Sequence, residues 1–191
     1  MSADLPEKLL GIDIDDSEEQ REGDDEPEEE LERFLFFSIG ERRLAVSVDE
    51  VKTIVDPPTS PTRVPRSPEA ITGVVDLRGE ITAVIEPREL FPAEAAPSDE
   101  PRLVVFDRPT DRQPAAMIVD EVRGVESVPE SDVRDPDEVA ADVAGGALEH
   151  PLVVGLVERE RADGTDAGRI VVEVTPLVDV DRLLLAAGRP A

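Results

Sequence analysis

"GVVDLRGEITAVIEP", Gly73 to Pro87, decides the fold. Apolar residues hold its odd positions, Val75, Leu77, Ile81, Ala83 and Ile85, with Asp76, Arg78, Glu80 and Thr82 between them. Strict alternation predicts two strands, each with one face in a core. If odd positions face inward on both arms, the loop holds an odd number of residues. Leu77 then faces Ile81, and Arg78, Gly79 and Glu80 form the tip. Gly79 supplies a positive φ at little cost. Arg78 is projected outward from a rigid strand end, either to meet a partner or to neutralise acids such as Asp76 or Glu86.

Outward from this hairpin the chain reads as short strands. Upstream, "RFLFFSIGERRLAVSV" is a hairpin pattern with its turn at "IGERR", and "DEVKTIVD" is a short strand or turn. "PPTSPTRVPRSPEA" has five prolines in 14 residues and forms no regular element, because proline lacks the amide donor and restricts its neighbour. "PRELF" fits one helical turn, and "AEAAPSDEP" is a polar connector. Downstream the pattern repeats. "RLVVFDRPTDRQPAAMIVDEVRGVESV" is again strand, turn, strand, and "VDEV" occurs at 119–122 as at 48–51. "GLVERERADGTDAGRIVVEVTPLVDVDRLL" parallels "GVVDLRGEITAVIEPRELF" element by element. Two similar sets of short strands predict two small barrels or sandwiches packed together. "PDEVAADVAGGALEH" reads as a helical insert ended by Gly145 and Gly146.

The chain has 191 residues and a formal charge of -26. Residues 1–32 hold 15 acids and 2 bases, and read as a disordered acidic tail, with "LPEKLLGIDID" as a few apolar residues or a short docking motif. Only Lys8 and Lys52 are lysines. High acid content with so little lysine points to a salt-rich cytoplasm and a halophilic archaeon as source, since near molar salt the Debye length is only about 3 Å. The charge opposes nucleic-acid binding, which needs a basic stripe. Cysteine is absent, excluding disulfides and thiolate metal sites. No apolar run is long enough to span a bilayer, and "MSADLPEKLL" lacks the basic and apolar regions of a signal peptide. The expected setting is cytoplasmic.

Catalytic constellations are missing. His150, the single histidine, stands beside a proline and reads as a loop residue. "DRPTD" and "RADGTDAG" read as turns, because a calcium loop needs tighter carboxylate spacing and a distal glutamate. There is no phosphate-cradling glycine loop, and five phenylalanines are the only aromatics of the Phe, Trp and Tyr class. No cofactor is expected, and protein binding is favoured over enzymatic chemistry.

Residues 65–91, "PRSPEAITGVVDLRGEITAVIEPRELF", resemble the signature of CheW-like domains, the coupling proteins of chemotaxis arrays. Gly73, Val74, Leu77, Arg78 and Gly79 match the family's "GVxNLRG". "FLFFSIGERRLAVSVDEVKTIV", "AAMIVDEVRGVESVP" and "GRIVVEVTPLVDVDRLL" resemble its opening hairpin, its "GLxVDxVxGV" strand pair and its closing strand and helix. The resemblance covers nearly all of residues 33–187. It implies an all-β fold of two SH3-like five-stranded barrels, interleaved in sequence on a shared core, with short helices. The residues 188–191 are then a C-terminal end. It also implies a non-enzymatic adaptor between a CheA-type histidine kinase and the cytoplasmic tips of methyl-accepting chemoreceptors. Such an adaptor is not inserted in the membrane but is recruited to membrane-associated receptor arrays. The implied receptor-side residues are Arg78, Val51, Thr53, Asp76 and Gly79.

Departures from the family pattern are Asp76 for the motif asparagine, Thr53 for an acidic residue, Ala83 for a proline, and Glu86–Pro87 for aspartate–leucine. They leave room for a diverged CheW-like scaffold in another signalling system. An SH3-like barrel that binds RNA is a further alternative, opposed by the charge.

Overall fold

The computed structural model describes residues 29–58, 60–109, 112–135, 150–162 and 170–189. The expected tail over 1–28, the helical insert over 136–149 and the turn over 163–169 lie outside the described residues. Among the described residues, eleven strands and one α-helix follow in order: β1 Leu31–Ile39, β2 Arg42–Ser47, β3 Val51–Val55, β4 Ile71–Leu77, β5 Glu80–Ile85, β6 Arg102–Phe106, β7 Ala115–Val119, β8 Glu121–Pro129, β9 Val133–Arg134, β10 Val153–Ala162, β11 Ile170–Val178 and α1 Val180–Ala187. β1 starts ahead of the expected boundary at 33: Leu31 already pairs with Pro129 and Glu32 with Val128.

The strands form two sheets, ordered β8-β1-β2-β11-β10-β9 and β3-β6-β7-β5-β4. The sixth strand of the first is the two-residue β9. Three apolar clusters explain why the strands hold together. Phe34, Phe36, Ala45, Val128 and Val157 fill the first barrel. Val75, Val84, Leu103, Val105 and Ala116 fill the second. The largest cluster lies between them and includes Leu35, Phe37, Ile39, Leu44, Val46, Ile85, Phe106, Met117 and Leu183. "FLFFSI" is apolar at successive positions because β1 is covered on both faces: Phe34 and Phe36 point into its own barrel, Leu35 and Phe37 into the shared core.

The internal repeat is exact in topology. β8, β1, β2, β11 and β10 correspond to β3, β6, β7, β5 and β4. In each barrel one join is parallel, β2 to β11 and β5 to β7. The pairings β1–β8, β3–β6, β4–β5 and β10–β11 each contain a register slip. Even the short β9, bonded to the outer edge of β10, has its counterpart in the Thr62–Val74 bridge on β4. The two "VDEV" segments mark the points where the chain changes barrels. After 48–51 it leaves the first sheet as β3, and after 119–122 it returns as β8. The second crossing is pinned by Asp120. Its carboxylate accepts hydrogen bonds from the Gly40 and Ser98 amides and from Arg88 Nη2. Burial pushes this carboxyl up, but those donors outweigh it and hold it below the usual range.

The opening hairpin differs from its expected register. Leu77 pairs with Glu80 and Asp76 with Ile81, so the loop is the two residues Arg78 and Gly79, not three. Both have positive φ, 56° and 90°. This is the backbone of a type I′ turn, whose twist suits tight hairpins. An even loop reverses the faces of the returning arm. Thr82 and Val84 are buried, whereas Ile81 is 54% exposed. Ile85 is buried because the outer face of β5 there meets the shared core. Ile81→Ala is therefore expected to change stability by less than about 0.5 kcal/mol. Ile85→Ala, two turns of the pleat away, should cost about 2–5 kcal/mol. Urea unfolding of both variants in one buffer checks the register.

Like charges also meet at the first crossing. The Glu50 carboxyl is held above the usual range by burial and then by the charges of Asp179 and Asp181. Lowering salt from molar to about 10 mM lengthens the Debye length from about 3 to about 30 Å. The wild type is expected to melt at lower temperature as salt falls, and Glu50→Gln to lose less. Calorimetry across that salt range checks both.

Candidate protein-binding groove

In the second barrel, β3 and β4 are the outer strands of the sheet. Between them runs a groove of about 430 Å³. Val55, Leu77 and Val105 line its apolar part, and Val55 and Leu77 pack on the barrel's own core. Thr53 and Lys52 stand on one lip; Asp76, Arg78 and Glu80 stand on the other. An ion pair of 2.9 Å from Lys52 Nζ to Glu80 Oε2 links the lips.

Of the five residues expected at the interface, Thr53, Asp76 and Arg78 meet at this groove. Gly79 shapes it from the tip of the turn: its amide donates to Asp76 Oδ1 at 2.6 Å, and no atom lies within 4 Å of where a Cβ would be. Val51 does not line the groove. It is half-buried, opposite Phe106, and packs against the shared core. Lys52 and Glu80 were not expected. Lys52 reaches the groove because the β3–β6 pairing slips between Val51 and Thr53, and only its rarity in this chain distinguishes it in the sequence.

Arg78 is exposed at the lip. Among the described residues no carboxylate lies within ion-pair distance of it. Asp76 is engaged by the Gly79 amide and Glu86 by the Arg88 amide, at 3.3 Å. Neither acid forms an ion pair with Arg78. A non-glycine residue in the left-handed region costs about 1–2 kcal/mol. That cost places a guanidinium at the end of a rigid hairpin, where it has little freedom left to lose on binding.

His150 is a packing residue. Its ring stacks on Phe91 with centroids 4.4 Å apart, and Nε2 lies 2.8 Å from the Leu90 carbonyl oxygen. Among the described residues no group of three or more potential metal ligands comes together.

The profile of the CheW-like domain matches residues 33–186. The chemotaxis protein CheW of Bacillus subtilis is 35% identical over 108 residues, covering 56% of this chain and 67% of that one. The chemotaxis protein CheW of Helicobacter pylori is 28% identical over 117 residues, covering 61% and 70%. Among solved structures, the scaffolding protein TtCheW of Thermoanaerobacter tengcongensis superimposes with a TM-score of 0.60 at 22% identity, over 79% of this chain and 86% of that one. The halophilic source expected from the charge receives no support from these bacterial relatives.

Proposed function

The chain belongs to the CheW-like domain family, and on that premise we propose that it is a non-enzymatic adaptor of chemotaxis that joins a CheA-type histidine kinase to chemoreceptor tips. The observation that carries the receptor side is Arg78: exposed, without an ion-pair partner among the described residues, and held on a strained turn beside an apolar groove. Arginine at the edge of an apolar depression is favoured interface chemistry. Thr53, Asp76 and Gly79 complete this contact, and Val51 supports it from the root of β3. Asp76 departs from the family pattern, yet its carboxylate oxygen closes the turn in the way an asparagine carbonyl also can. The departure at Thr53 favours the second reading, a scaffold with a different receptor-like partner. No helix among the described residues is long and apolar enough to cross a membrane. We place the protein in the cytoplasm, recruited to receptor arrays.

The test is reconstitution. Purified chain, kinase regulatory region and receptor cytoplasmic fragments are mixed in matched salt and resolved by sedimentation. A ternary complex that requires the chain is expected. Kinase binding without receptor binding would support the diverged scaffold, and binding to neither would overturn the proposal.

A further inference from the structure

Only two non-glycine residues among those described have positive φ, and both are arginines: Arg78 and Arg66, at 64°. Strain of this kind persists where the surrounding structure fixes it, and it concentrates at functional sites. Arg66 lies in the proline-rich loop that joins β3 to β4. That loop is not loose. Thr62 and Val74 exchange two backbone hydrogen bonds of 2.8 Å, Ser67 N donates to the Val64 carbonyl, and Ile71 N donates to that of Pro68. Pro61, Pro65 and Pro68 restrict the backbone between these bonds.

The loop presents Arg63, Val64, Pro65 and Arg66 to solvent. Val64 is 41% exposed between the two cations. Beside them is a polar concavity of about 660 Å³, which Glu69 and Glu89 also line. No carboxylate among the described residues lies within ion-pair distance of Arg63 or Arg66, although acids outnumber bases 46 to 20 in the chain. From the Thr62–Val74 bridge the loop runs toward the Ile71 end of β4, away from Arg78 beyond its other end. The seven residues of β4 put its Ile71 end, toward which the loop runs, roughly 20 Å from Arg78.

We propose that Arg63, Val64 and Arg66 form a second protein-docking surface, which takes an acidic partner segment carrying an aliphatic residue between carboxylates. The two guanidiniums match the carboxylates, Val64 meets the aliphatic residue, and the fixed loop loses little entropy on binding. Glu69 and Glu89 flank the two arginines, so this loop does not offer the continuous basic stripe that a nucleic-acid backbone needs. The inference rests on the adaptor reading only in taking the natural partner to be a signalling protein.

The test uses the full chain, labelled with ¹⁵N, and the peptide Asp-Glu-Leu-Glu-Asp in about 0.1 M salt. The largest amide shifts are expected at residues 62–67. In Arg63→Glu/Arg66→Glu, peptide binding should weaken about tenfold, as two reversed exposed ion pairs would give. Arg66→Gly separates binding from folding. Glycine relieves the strain at φ 64°, so its melting temperature should hold or rise while peptide binding falls. Unchanged binding in either variant, or shifts centred elsewhere, would overturn the proposal. So would the same shift pattern with inorganic phosphate alone, which would mark a general anion site. A chain that binds neither kinase nor receptor would remove the adaptor reading and leave the peptide result to decide this surface.

Discussion

Alanine at position 73 is expected to lower the melting temperature by roughly 5–15 °C, the consequence of about 2–5 kcal/mol in a domain of this size. The reason is contact with backbone rather than with a movable side chain. A Cβ on Gly73 would lie 2.4 Å from the Thr62 carbonyl oxygen and 2.8 Å from its carbon. The loop must retreat, and it is held there by the two Thr62–Val74 hydrogen bonds, each worth about 1 kcal/mol. Gly79→Ala is the control. Its Cβ meets nothing within 4 Å, and φ is +90°, so the expected cost is only the strain of about 1–2 kcal/mol. Differential scanning calorimetry on both variants decides the matter. Equal losses would show that conformation, not close approach, makes Gly73 necessary. Because the same loop carries Arg63 and Arg66, Gly73→Ala should also disturb the second docking surface while leaving the Arg78 turn in place.

Charge reversal at Arg78 is expected to separate binding from folding. Arg78→Glu keeps an unbranched, non-glycine side chain in the same left-handed position, so the strain is shared by both proteins. The site is exposed and makes no ion pair among the described residues. Stability should therefore move by no more than about 0.5 kcal/mol. Receptor-fragment affinity should fall about 10- to 100-fold, the loss typical of an arginine hot spot. The loss should shrink as salt rises, because the reversed charge acts partly at range. Titration calorimetry at two salt concentrations, with a melting curve for each protein, gives both readouts. Full affinity in a folded variant would remove Arg78 from the interface. A collapsed melting temperature would make its role structural.

Much of this was legible before any coordinates. Alternation over 73–87 identified the strands, the parallel between "GVVDLRGEITAVIEPRELF" and "GLVERERADGTDAGRIVVEVTPLVDVDRLL" identified the repeat, and five prolines identified the irregular loop. The turn length was not legible. A two-residue hairpin is signalled by asparagine or aspartate before glycine, and here arginine occupies that left-handed position. Ile81, an exposed isoleucine in a strand, completed the false pattern. The described residues of the proline-rich stretch 57–70 form no helix or strand, as its prolines predict, but proline content carries no information about the Thr62–Val74 bridge. The groove shared by Thr53 and Arg78 depends on β3 entering the second sheet, a long-range pairing with no local signal. Val51 stands beside that groove rather than in it: its strand neighbours line the groove, while Val51, before the register slip, packs against the shared core.

The two crossings have a mechanical meaning. Each barrel is completed by strands whose covalent continuation lies in the other, through 48–51 at one crossing and 119–122 at the second. Sliding the barrels past one another would require β3 to peel from β6 or β8 to peel from β1, against the grip of Asp120 on three neighbouring segments. Among the described residues, these ties join the two barrels at both crossings. A displacement imposed on the Arg78 lip is therefore expected to reach the first barrel with little lost to internal bending.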